Sequence, residues 1–222
     1  AAVDTMDHYR LMVGGREQRN DIAMQIAARE GKTIMFMRTK HGVDRQVKKL
    51  RRAGIHAQGL HGDKGQGART RALEGFASGE TPVLVATDIA ARGIDVDDVS
   101  LVVHVDPPAE HKAYLHRAGR TARAGTSGTV VTLVMDDQSK EVSQLLRKAG
   151  VDAPEVKVTP LSESLVTITG ARQPEGAPLP PPGQSQQPKR ATGSGNRKAG
   201  GNRSRGNNRA RRSDRSRRSN GR

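Results

Sequence analysis

The sequence predicts an α/β domain built on a parallel sheet, followed by a disordered basic tail. Three observations carry this. Apolar runs of strand length alternate with amphipathic stretches of helix length over the first 150 residues. The strand runs are continuously apolar rather than alternating, as in strands covered on both faces. Glycines close helical stretches at Gly31, Gly54 and Gly79.

Taken in order, His8 to Val13 is a first strand, and after Gly14-Gly15 the helical spacing of Ile22 and Ile26 marks a helix. Thr33 to Met37 is a continuous apolar strand, and Val43, Val47 and Leu50 stripe the next helix. Ile55 to Leu60 is a strand followed by the glycine-rich loop HGDKGQG; Ala72, Leu73 and Phe76 stripe a third helix. Pro82 to Thr87 and Ser100 to Val105 are strands separated by DIAARGIDV. An arginine-rich segment leads to a strand over Gly128 to Val134 and a helix striped by Val142, Leu145, Leu146 and Ala149. Residues 1–150 form the domain on this reading. Residues 151–171 are an extended exit arm, in which SLVTIT reads as one more strand. Residues 172–222, Pro-rich and then Arg, Gly, Ser and Asn-rich, have no apolar periodicity with which to offset ordering entropy and read as disordered.

The formal charge of +15 implies a polyanionic partner, and its distribution is uneven. From Lys189 onward thirteen Lys and Arg face Asp214 alone, a net +12, which leaves +3 for everything before. Such a tail binds polyanions by counterion release, blind to sequence and sensitive to salt. The absence of cysteine excludes disulfides and thiolate metal sites and suits a cytoplasmic location. No apolar run approaches the roughly 20 residues of a membrane span, and AAVDTMDHYR lacks the regions of a signal peptide. The six Met and four aromatic residues lie mostly within the apolar runs and read as core.

Ligands of parallel sheets sit beyond the carboxyl ends of the strands. That directs attention to Arg38 to His41, His61 to Gly67, Thr87 to Asp95 and the residues after Pro107. In YLHRAGRTARAG, Arg117, Arg120 and Arg123 recur every three residues, so a helical start would bring them near one face, where guanidinium forks suit phosphate oxygens. A solvated basic face is the plainer alternative. Gly31-Lys32-Thr33 is not a phosphate loop, because Ile26 stands where its first glycine belongs and a helix precedes it.

Four stretches, in order, resemble the motifs of the second RecA-like domain of DEAD-box ATP-dependent RNA helicases. FMRTK (Phe36 to Lys40) resembles motif IV, and HGDKGQGAR carries the glutamine-to-arginine motif as Gln66 and Arg69. ATDIAARGID (Ala86 to Asp95) resembles motif V, and HRAGRTAR (His116 to Arg123) motif VI. The basic tail is similar to that of the RhlE-like bacterial branch. Ala122 departs from the family's usual glycine, with little effect expected if the residue is helical. No Walker A loop, Asp-Glu-Ala-Asp box or Ser-Ala-Thr motif occurs, so the chain reads as a fragment or split product.

The resemblance implies a three-layer RecA-like fold and ATP held with Mg in a cleft shared with the missing first domain, which would hold the metal. It implies Arg120 and Arg123 as arginine fingers, with Gly93 and Asp95 completing the nucleotide contacts; by itself Asp95 reads as a turn or cap aspartate, and the motif context reverses that. RNA backbone contacts fall to Thr39, Gly62, Asp63, Arg69 and Thr87, although Asp63 is more suited to steering a neighbour and Arg69 could be a surface helix residue. Gln66, His116 and Arg117 would couple the motifs. The implied partners are RNA, the N-terminal RecA-like domain in cis or trans, and proteins of ribosome assembly or RNA decay. The expected function is the C-terminal half of an RNA helicase, inactive as an ATPase alone. The competing readings are a non-catalytic RNA-binding scaffold and a DNA translocase of the same superfamily.

Overall fold

The computed structural model describes residues 6–122 and 127–183. The basic tail and Arg123 lie outside them. Seven strands form one sheet: β1 (Met6–Gly14), β2 (Lys32–Phe36), β3 (Ala57–Leu60), β4 (Val83–Ala86), β5 (Val99–His104), β6 (Gly128–Met135) and β7 (Glu155–Lys157). Their order is β3-β4-β2-β5-β6-β1-β7, and every pairing is parallel. Parallel neighbours need crossovers, and the helices supply them: α1 (Arg16–Ala27), α2 (Lys40–Arg52), α3 (Gln66–Ser78), α4 (His111–Ala118) and α5 (Ser139–Ala149).

Successive strand residues feed opposite faces, which divides the apolar core into two layers. Met35, Val85, Val103 and Leu133 pack with Ile22 and Ile26 of α1 and Val43, Val47 and Leu50 of α2. Ile34, Phe36, Leu84 and Val102 pack on the other side with Phe76 of α3, Tyr114 of α4 and Val142 and Leu146 of α5. The expected α/β parallel sheet, in the three-layer RecA-like arrangement, is what forms. No helix of the described residues is long and apolar enough to cross a membrane.

The C-terminal part departs from the sequence reading. The supposed exit arm is built into the domain: β7 pairs with β1, and Val151, Ala153, Val158, Leu165 and Ala171 are buried. SLVTIT is not a strand but most of a helix, α6 (Glu163–Thr169). Its β-branched residues suggested a strand, yet Leu165 and Thr169, four apart, are the buried pair, and Gly170 closes the helix. Order also continues past Arg172, where disorder was expected to begin. Arg172 N–H donates to the Gln25 carbonyl at 3.0 Å and Leu179 N–H to the Arg51 carbonyl at 2.8 Å. This packing uses backbone groups and glycine contacts, which leave no apolar periodicity to read.

Candidate functional site

The loops following β2, β3, β4 and β5 gather at the carboxyl edge of the sheet, as expected of this architecture. Helix α4 stops at Ala118 with Gly119 as its cap, so Arg117 is on the helix and Arg120 is past its end, and Arg123 lies outside the described residues. The arginines have separate fates. Arg117 is only 1% exposed. It forks onto Asp88 of the loop after β4, with Nε at 2.5 Å from Oδ1 and Nη2 at 2.8 Å from Oδ2, and Nη1 donates to the Asp106 carbonyl at 2.8 Å. Its guanidinium lies over the Phe36 ring, 5.0 Å from the centroid.

Arg120 lies past the helix end. Nη1 donates to the Ile94 carbonyl at 2.8 Å and Nε to the His116 carbonyl at 3.3 Å. Arg120, His116, Arg117, Asp88 and Gly93 all line one cleft of about 420 Å³. Gly93 has φ +73° and nothing within 4 Å of where a Cβ would stand, so glycine is needed here for the left-handed turn rather than for space inside the domain. Asp95 follows on the same loop and is exposed.

Ala122 has φ +53°, so the condition for an innocuous methyl, helical backbone, is not met. A left-handed alanine is strained where glycine is not. The turn is pinned on one side, because the Thr121 hydroxyl donates to the Val99 carbonyl.

Of the residues expected to meet RNA, Thr39 is the N-cap of α2, its Oγ1 accepting from Gly42 N–H at 3.0 Å. Gly62 and Asp63 are exposed in the loop after β3, and half-buried Thr87 follows β4, its N–H donating to the Leu60 carbonyl at 3.2 Å. Because β3, β4 and β2 are neighbours, these groups share one stretch of the edge. Asp63 accepts from Lys40 Nζ at 2.6 Å, and that hydrogen bond, with the ammonium charge, holds its carboxyl below the usual range. Arg69 is differently placed: its guanidinium donates to the Ala90 carbonyl at 2.7 Å and the Arg92 carbonyl at 3.1 Å, tying α3 to the loop after β4. Gln66 opens α3, exposed, and its carbonyl accepts from the Thr70 hydroxyl.

Two carboxylates that organise the site were not singled out in the sequence. Asp88 holds Arg117. Asp106 accepts from Arg38 N–H at 2.9 Å and from Arg19 Nη1 at 3.2 Å. Each lies just beyond the carboxyl end of an apolar strand run, which was the available signal. Beneath α4 lies a polar layer: His8 Nδ1 is 2.8 Å from the Tyr114 hydroxyl, and the His104 and Tyr114 rings stand 4.7 Å apart. Burial lowers the His8 and His104 pKa values and raises that of Tyr114; for His104 the Arg117 charge adds to the effect.

Residues 18–125 match the family described as the helicase conserved C-terminal domain. The chain is 42% identical over 128 residues to the ATP-dependent RNA helicase DBP2 of Debaryomyces hansenii, a match covering 56% of this chain and 24% of that protein. It spans about a quarter or less of the length of such curated relatives. Among solved structures, S. cerevisiae Dbp5 bound to RNA and ADP BeF3 is similar with a TM-score of 0.69 and 28% identity, over 77% of this chain and 46% of that one. The E. coli DEAD-box protein SrmB, bound to the regulator of ribonuclease activity RraA, is 33% identical with a TM-score of 0.63, over 77% of this chain and 98% of that one. With the sheet, the motif loops and this near-complete overlap in agreement, the chain belongs to the DEAD-box helicase family and carries its C-terminal RecA-like domain.

Proposed function

We propose that the chain supplies the arginine-finger half of an ATP-dependent RNA helicase and works against an N-terminal RecA-like domain that seats the nucleotide. The observation that carries this is the division of labour within motif VI. Arg117 is buried against Asp88 and the Asp106 carbonyl, and Arg120, three residues on, reaches the wall of the same cleft beside Gly93, where it also bonds the Ile94 carbonyl.

In hydrolysis, water attacks the γ-phosphorus and the bond from that phosphorus to the bridging oxygen of ADP breaks. Arg120, with Arg123, stabilises the charge that spreads over the transferred oxygens, an effect of about 10³ to 10⁵ in rate in related systems. Its bonds to the Ile94 and His116 carbonyls hold the side chain at the cleft until phosphate oxygens replace them. Asp95 takes the ribose hydroxyl. Magnesium, when bound, would supply charge neutralisation on the phosphates; of the two acids lining the cleft, Asp88 is engaged by Arg117, and with Glu110 it forms no cluster of three candidate ligands among the described residues, so we assign the metal to the first domain.

RNA crosses the neighbouring edge with its phosphates on the Thr39 hydroxyl, the Gly62 amide and Thr87. Arg69 acts by holding the 88–95 loop, and Asp63 by holding Lys40. With no Trp and four other aromatics, the chain recognises backbone rather than bases. That the similar Dbp5 is bound to RNA and ADP BeF3 supports a nucleotide and RNA as the ligands.

The test joins this chain to an N-terminal RecA-like domain and compares Arg120→Ala with the parent. RNA-stimulated ATP turnover is expected to fall about 10³-fold, with RNA affinity unchanged, and the unjoined chain is expected to show no turnover. Equal turnover in parent and variant would sink the finger assignment and favour a non-catalytic RNA-binding scaffold.

A further inference from the structure

The segment after α6 runs back across the domain as a strap. The Arg172 guanidinium pairs with Glu30 at 2.9 Å. Gly176 then lies against Gly54: a Cβ on Gly176 would stand 2.7 Å from the Gly54 carbonyl oxygen, and one on Gly54 would stand 2.3 Å from Gly176 Cα. Two backbones meet there with no room for a methyl. Further on, Leu179 bonds the Arg51 carbonyl, and Arg51 Nε returns a bond to the Pro180 carbonyl at 2.5 Å. Helix α2 descends from the carboxyl edge, so a strap that starts at Gly54 and reaches Val47 and Lys48 climbs back toward that edge.

Its last residues close a groove of about 530 Å³ against α2 and the edge strand β3. Val47, Gly59, Leu179, Pro181 and Pro182 give it apolar walls, and Lys48, Arg51, Arg52 and Lys64 bring cations to it. Asp44 is the single carboxylate among these lining residues, and it is engaged by His61 at 2.9 Å and Lys64 at 3.4 Å. Lys64 belongs to the same loop as Gly62, so the groove opens where the proposed RNA path leaves the sheet edge.

We infer that this groove is a second site for single-stranded RNA, continuing the path along α2. Phosphates meet Lys48, Arg52 and Lys64, while ribose and base faces lie on Leu179 and the two prolines. The inference rests on the reading that RNA crosses the carboxyl edge. Four cations against one paired acid favour a polyanion, and the apolar walls offer a surface for ribose and base faces.

The test measures binding by the full chain of oligouridylates of roughly six and roughly twelve nucleotides, within the usual range of single-strand sites. Fluorescence anisotropy at near-physiological salt gives affinity, and 4-thiouridine at either end maps contacts by crosslinking. The parent is expected to gain about tenfold from the longer RNA. Lys48→Glu with Arg52→Glu should remove most of that gain without altering short-RNA affinity, in keeping with the loss of two phosphate contacts. Gly176→Leu, with every charge intact, should do the same by lifting the strap; should it unfold the domain, Leu179→Ser takes its place.

A length gain that survives both changes, or crosslinks confined to residues after 183, overturns the site. A parent with no length gain and no crosslink within 44–52 or 176–182 also overturns it, leaving an acidic peptide as the occupant. Thr39→Ala and Thr87→Ala test the edge separately. If they leave short-RNA binding unchanged while the groove variants abolish the gain, the groove stands and the edge reading fails.

Discussion

The two faces of the sheet solve different problems with the same strands. On the face covered by α1 and α2, Leu11, Met35, Val103 and Leu133 meet Ile22, Ile26, Val43 and Leu50 in an apolar layer. On the α4 side, the apolar layer also accommodates His8, His104, Tyr114 and the guanidinium of Arg117. The first face supplies burial. The second gives up part of that burial to fix where one arginine points, and therefore where the chain turns toward Arg120.

The largest expected effect breaks this contrast at its centre. Arg117→Ala removes a buried guanidinium from Asp88, whose side chain is 40% exposed and so regains some water. The expected cost is about 3 kcal/mol, the low end for breaking a buried pair, read from denaturant midpoints. Leu11→Ala on the opposite face should cost a similar amount, about 2 to 5 kcal/mol, through its cavity. The two should differ in function. With a first domain joined, Leu11→Ala keeps ATP turnover at temperatures where it is folded, and Arg117→Ala does not. Arg117→Lys should fail as well, because an ammonium cannot make the fork to Asp88. Equal turnover in Arg117→Ala and Leu11→Ala would dissolve the contrast.

A smaller effect comes from titration of the polar layer. His104 is wholly buried, neither ring nitrogen has a hydrogen-bond partner among the described residues, and its pKa lies well below 6.5 because of burial and the Arg117 charge. Asp7 opposes the lowering at His8, where burial prevails. In the unfolded chain both imidazoles take protons below about pH 6.5, while in the folded chain they resist. Unfolding therefore gains as pH falls through that value, and the full stability is present above it. Each site contributes at most about 1.4 kcal/mol per pH unit. Denaturant titrations should show stability lower at pH 5.5 than at pH 7.5, and His104→Leu should flatten the slope. The lowered carboxyls of Asp44 and Asp63 act only further down, near the acid range. An unchanged slope in His104→Leu would show that the layer titrates like the surface.

How much of this was legible follows the same division. Continuous apolar runs announce strands covered on both sides, and Thr33 to Met37 or Pro82 to Thr87 could hardly be anything else. The gathering of the loops at the carboxyl edge followed from the architecture. The partner of Arg117 was not legible, because Asp88 is 29 residues away and only the folded sheet edge joins them. The strap was missed for another reason: proline and glycine read as disorder, yet Gly176 packs because it has no side chain. Helix α6 was concealed by β-branched residues whose burial follows a helical period.

The smallest expected effect sharpens the reading of the turn itself. Ala122 adopts φ +53° between Thr121, pinned to Val99, and Arg123. An L-residue in that conformation costs roughly 1 to 2 kcal/mol, and glycine relieves it while adding freedom to the unfolded chain. Ala122→Gly is therefore expected to stabilise the domain by about 1 kcal/mol net, measured by chemical denaturation, and Ala122→Val to destabilise it by more. If the strain also serves the activity, the glycine variant joined to a first domain should gain stability and lose some ATP turnover. Unchanged turnover would make the alanine a tolerated cost rather than part of the mechanism.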